Sequence, residues 1–164
     1  MPLASRKGSI IMDFVLVFIV FITIMSITLL VAGHINTSLI QPFSDAGLNT
    51  SSLNDTTSAL NVYNTGIPFI FFGFIIISVL LAWQLKASPI ISIFLIMSMA
   101  VIGIVGEGMS NAFYAFSRDS ALSSTADTFN YVVYLQDNLG YILIIAGIVI
   151  LIFMFSKPKN FEVG

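Results

Sequence analysis

Four stretches of the chain, residues 14–33, 67–85, 87–106 and 138–156, each run for 19 or 20 positions without a charged side chain. A helix of that length rises about 30 Å at ~1.5 Å per residue, which matches the hydrocarbon core of a bilayer. Strands are excluded, because the runs lack apolar/polar alternation and are about twice the ~10 residues that a tilted barrel strand needs. The sequence therefore predicts an all-α polytopic membrane protein. Its four transmembrane helices are expected over about 12–34, 67–86, 88–116 and 138–156, in one membrane domain covering 1–164, with outer loops over about 35–66 and 117–137.

Composition narrows the chemistry. Only 9% of the 164 residues are charged, against about 25% in a soluble domain. Six Lys+Arg stand against eight Asp+Glu, so no broad basic face exists for specific nucleic-acid binding. With no Cys and one His, His34, there is no disulfide framework, no thiolate nucleophile and no ordinary metal-ligand set. Gly-rich phosphate loops, paired catalytic carboxylates and a Ser/His/Asp constellation are also missing from the sequence. The expectation is a non-enzyme with no catalytic, cofactor-binding or metal site.

Alternation of the four spans puts Arg6, Lys7, Lys86, Lys157 and Lys159 on one side and only Arg118 on the other. The positive-inside bias thus predicts both termini in the cytoplasm or its topological equivalent. Trp83 fits the inner aromatic belt, and Tyr114 and Tyr141 fit the outer one. Between the second and third spans, Ser88 can cap the next helix and Pro89 can open it.

Three polar residues in or beside the spans are candidates for buried polar roles: Glu107, Asn111 and Asp13. Glu107 is the one carboxylate well inside the third run, and an ionisable group in lipid is costly enough to invite a functional reading. Asn111 follows one helical turn later, so a polar path along that helix is conceivable. Asp13 stands where a helix N-terminus favours negative charge. Gly103, Gly106, Gly108, Ser110 and Ala112 supply small residues at helix-packing spacing, including Gly106-x-x-x-Ser110 and Gly108-x-x-x-Ala112.

The outer segments read differently from each other. Residues 34–66 are rich in Asn, Ser and Thr and suggest turns with one helical piece over 56–63. Asn36, Asn49 and Asn54 each begin a glycosylation sequon there. Residues 118–137 hold an apolar cluster that must pack on something, and Phe129, Tyr131 and Tyr134 are its candidate partner contacts.

Two resemblances add to this. Arg6-Lys7-Gly8 with Asp13 five positions on and an apolar run behind it resembles a prepilin-type signal, which implies cleavage after Gly8; pilins carry Glu at the acidic position and a single apolar helix. The order Ser110-Asn111-Ala112-Phe113-Tyr114, then Ala126-Asp127-Thr128-Phe129-Asn130, then Asp137-Asn138-Leu139-Gly140 is similar to that in small membrane proteins of tailless icosahedral viruses with an internal lipid membrane. That family often has Pro where this chain has Gly140. The resemblance covers roughly 45 residues (about 110–156) and implies a virion membrane protein beneath a capsid, with both termini facing the virion interior and no catalytic residues.

The leading expectation is a structural membrane protein that scaffolds a lipid-containing assembly as a homo- or hetero-oligomer. Its partners would be the bilayer and other membrane or capsid proteins. It would reside in a virion internal membrane or a host cytoplasmic membrane. A small channel, holin-like pore or transporter is the alternative from another class, and an accessory subunit of a larger membrane complex is a third.

Overall fold

A computed structural model describes the backbone over residues 3–84 and 89–156, and side chains mainly over 15–80 and 96–156. Six helices follow one another: α1 (Leu3–Asp45), α2 (Ser51–Gln84), α3 (Pro89–Ser117), α4 (Ser123–Thr128), α5 (Asn130–Asp137) and α6 (Leu139–Phe155). Among the described residues there is no strand. Three helices are long and apolar enough to cross a membrane, and a fourth span is reached if α5 and α6, bent by 66° at their junction, count as one. The chain is thus an all-α protein of membrane type.

Helices α1, α2, α6 and α3 pack as a ring in that order, with the most extensive contact between α3 and α6. Its outward side is apolar: Phe69 is 80% exposed and Ile104 74%. Such a surface is unfavourable in water and suits hydrocarbon. Inside, Ile19, Ile22, Leu30, Ile67, Phe71 and Phe113 are buried together, and Phe18 stacks on Phe74 with centroids 3.9 Å apart.

The segment expected as a loop over 35–66 is instead almost wholly helical. Helix α1 continues without interruption for 43 residues and α2 begins at Ser51. The polar composition does not break the helices, because Thr37, Thr56, Thr57 and Ser58 turn their hydroxyls onto carbonyls one turn earlier. Two further bonds tie the helices together: the Asn36 side-chain amide donates to the Leu53 carbonyl at 2.9 Å and to Thr57 Oγ1 at 2.7 Å. Pro42 sits within the last turns of α1.

The turn that reverses the chain is compact. Leu48 N–H donates to Phe43 O and Gly47 N–H to Ser44 O, the paired bonds of a Schellman cap. Gly47 takes φ +71°, the left-handed conformation this cap demands and side chains resist. Asn49 Oδ1 then accepts from Ser51 N–H and leads the chain into α2.

Pro89 opens α3 as expected. Ser88 and the basic residues expected on the inner side, Lys86, Lys157 and Lys159, lie outside the described residues, as do the side chains of Arg6, Lys7, Asp13 and Trp83.

Candidate functional site

The second outer segment, 118–137, folds into α4 and α5, which lie against α1, α2 and α3 and form a cap on one end of the bundle. Phe129 breaks the helix between them with φ −97° and ψ +46°. Its ring is pressed against Gly33 of α1. A Cβ at Gly33 would stand 2.9 Å from Phe129 Cζ and 3.0 Å from Thr125 Cγ2, so that position must be bare. Phe129 is only 2% exposed. It was expected among the partner contacts; the structure places it inside, because the apolar residues Phe129, Val132 and Val133 all join the buried core that the cap shares with the bundle.

Tyr131 and Tyr134 point the other way, 60% and 71% exposed. The alternation follows from helical geometry: positions 129, 132, 133 and 136 share one face, and 131 and 134 lie on the opposite one.

The fourth residue of the inward face is Gln136, fully buried. Its Nε2 donates to Ser26 Oγ at 2.9 Å, and its Oε1 lies 3.3 Å from the Thr23 hydroxyl. Ser26 and Thr23 also bond the carbonyls of Ile22 and Ile19. Thr28 likewise bonds the carbonyl one turn earlier, as Ser and Thr within a helix can do unaided; Gln136 is what ties two of these hydroxyls to another element. The signal available in the sequence was the i, i+3, i+4, i+7 stripe starting at Phe129, which ends on Gln136.

Two more polar side chains clamp α5. Asn64 Oδ1 accepts from Val132 N–H at 3.1 Å, an amide that the break at Phe129 leaves without a helical partner. Ser110 donates to the Asp137 carbonyl at 2.7 Å. Beside it, Asp137 Oδ2 faces Arg118 Nη2 at 3.8 Å, and Asp137 Oδ1 is buried with no hydrogen-bond partner. Burial pushes the Asp137 carboxyl above the usual aspartate range, and the Arg118 guanidinium partly offsets that. Arg118 also lies over the Tyr114 ring, 5.4 Å from its centroid.

Below the cap, α6 meets α3 along small residues. A Cβ on Gly103 would come within 3.0 Å of Ile144 Cγ1, and one on Gly106 within 2.6 Å of Leu143 Cδ1. From the facing helix, a Cβ on Gly140 would meet the backbone N and Cα of Glu107 at 3.0 Å, which no side-chain movement can relieve. Gly108 and Ala112, expected on the same packing surface, stand away from it: Gly108 has open space around it and Ala112 is exposed. Two residues of helix are about 200° of rotation, so the Gly106/Ser110 and Gly108/Ala112 pairs cannot share one face.

Glu107 and Asn111 were candidates for buried polar roles. Both are exposed: α6 covers the Gly103/Gly106/Ser110 face of α3, and Glu107 stands at the edge of that contact, with its backbone and carboxylate against Gly140. Asp13 lies in α1, and its side chain is outside the described ones. Of the three sequon asparagines, Asn36 is buried and both bonds of its amide are internal, so its nitrogen is closed to glycan attachment, while Asn49 and Asn54 are exposed. No family model, curated protein or solved structure matches the chain.

Proposed function

We propose that this chain is a structural membrane protein whose outer cap docks a partner, most concretely the capsid or a neighbouring membrane protein of a lipid-containing virion. One observation carries the reading: the cap is anchored to the bundle through Phe129, Val132 and Gln136, yet leaves Tyr131 and Tyr134 bare on its opposite side. Exposed tyrosines on an already satisfied scaffold provide rigid contact area at low entropic cost, the composition favoured where proteins meet. The helical extension of α1 and α2 beside the cap adds a second protruding surface. Both termini would face the virion interior or the host cytoplasm. The same chemistry would serve an accessory subunit of another membrane complex, whose partner would then be a membrane protein.

The test is assembly with and without the tyrosines. Particles and cell membranes from the source are separated on a density gradient, and the protein is followed by mass spectrometry. It should peak with lipid-containing particles, and the double variant Tyr131→Ser/Tyr134→Ser should insert into membranes normally but be depleted from particles. Full incorporation of the double variant overturns the docking role, and confinement of the wild type to cell membranes overturns the virion reading.

A further inference from the structure

A groove of about 660 Å³ runs along the outside of the α3–α6 contact. Its walls are apolar, with Ile96, Ala100 and Ile104 from α3 and Ile144 and Ile148 from α6. At its cap-side end stand Glu107 and Tyr141. Glu107 makes no ion pair or hydrogen bond among the described residues, and Tyr141 is 63% exposed. We infer that this groove binds one acyl chain of a phospholipid whose headgroup carries a primary amine, with the ammonium held by Glu107.

The groove opens on the outward apolar side of the bundle, beside Ile104, Ile144 and Ile148, where a hydrocarbon chain of the bilayer is the medium at hand. From Ile96 to Glu107 the groove follows eleven residues of α3, or roughly 16 Å of rise. An extended hydrocarbon chain is thin enough to enter. The slot exists because Gly103 lays no side chain on its floor and α6 approaches closely there.

Charge selects the headgroup. Glu107 sits level with Gly140, one turn inward from the Ser110–Asp137 bond that marks the base of the cap. An exposed carboxylate with no partner among the described residues favours a cation that can also donate hydrogen bonds. A primary ammonium does both, whereas the quaternary ammonium of a choline headgroup has no N–H to give. The inference rests on the chain's membrane character alone and holds whichever assembly the cap serves.

The experiment uses the full-length protein reconstituted into vesicles of equal phosphatidylethanolamine and phosphatidylcholine with matched acyl chains. After gentle detergent extraction, retained lipid is quantified by mass spectrometry. The wild type should retain phosphatidylethanolamine about three- to five-fold over phosphatidylcholine, the range expected of one partly exposed ion pair. Glu107→Gln should bring the ratio to about one while leaving total retained lipid unchanged, since charge selects and the groove holds. Ile148→Trp, which fills the groove, should lower retention of both lipids. Equal retention by the wild type overturns the proposal without recourse to any variant. So does a preference that survives Glu107→Gln, or a protein found in the groove by crosslinking from position 104 in native membranes.

Discussion

The cap and the membrane body solve the same problem, holding helices together, by opposite means. In the body, α3 and α6 approach through bare backbone at Gly103, Gly106 and Gly140, with no hydrogen bond needed at the crossing. In the cap, short helices that could not persist alone are fixed by Asn64, Ser110 and Gln136, each bonding across to another element. Lipid supplies no hydrophobic drive between helices, so contact area gained by small residues has to serve. At the cap the chain breaks and bends, and every orphaned amide or carbonyl has to be met by a side chain.

This contrast can be broken at its strongest point first. Phe129→Ala should remove about 3–5 kcal/mol from the cap by leaving a cavity beside Gly33, read as a lowered thermal transition in detergent with the transmembrane helices still intact by circular dichroism. Gly140→Val strikes the body instead; with the Glu107 backbone unable to yield, overpacking should cost about 1–3 kcal/mol and loosen α3–α6, detectable as a faster disulfide exchange between cysteines placed at 99 and 147. If Gly140→Val left that pair tightly held, close backbone approach would not be what joins the body.

A milder change sharpens the cap side. Gln136→Leu keeps the volume, and Ser26 and Thr23 retain their own carbonyls, so the loss should be about 1 kcal/mol. Gln136→Glu should cost more at neutral pH, because it buries a charge with no cation beside it among the described residues. A reversed order of these two variants in thermal melts would argue that Gln136 is reached by water.

The smallest expected effect is a pH slope. Burial raises the Asp137 carboxyl in the folded state, so folded protein holds its proton more tightly than unfolded protein. Stability is then fully present below the ordinary aspartate value of 3.8 and declines as pH rises through the raised folded value. Asp137→Asn should flatten that slope, measured as the transition temperature of wild type and variant across mildly acidic to neutral pH. A slope of opposite sign would mean that the Arg118 pair, long at 3.8 Å, outweighs burial.

What the residues reveal on reading follows the same division. The charge-free runs announce helices of membrane length, because the bilayer imposes one thickness on any chain that crosses it. The continuation of α1 and α2 through a stretch rich in Asn, Ser and Thr is hidden, since those residues signal turns unless tertiary contacts such as Asn36 with Leu53 and Thr57 hold the helix. Phe129 and Tyr134 look alike as aromatic residues of one apolar cluster. Only the period of the helix separates the buried one from the exposed one, and that period starts at a break the sequence does not mark. Glu107 shows the converse: its helix was legible, but which side α6 would cover depended on the glycine register of both helices.

Helix α1 passes through both regions as one uninterrupted rod of 43 residues, about 65 Å long at the helical rise. A rod of that kind carries whatever tilt it takes in the bilayer unchanged to the tip of the hairpin. Neighbouring copies standing in a bilayer that curves away from the cap must splay their tips apart, and copies in one that curves toward it must crowd them. Spacing between caps therefore reports membrane curvature, and any partner that fixes that spacing fixes the curvature in return.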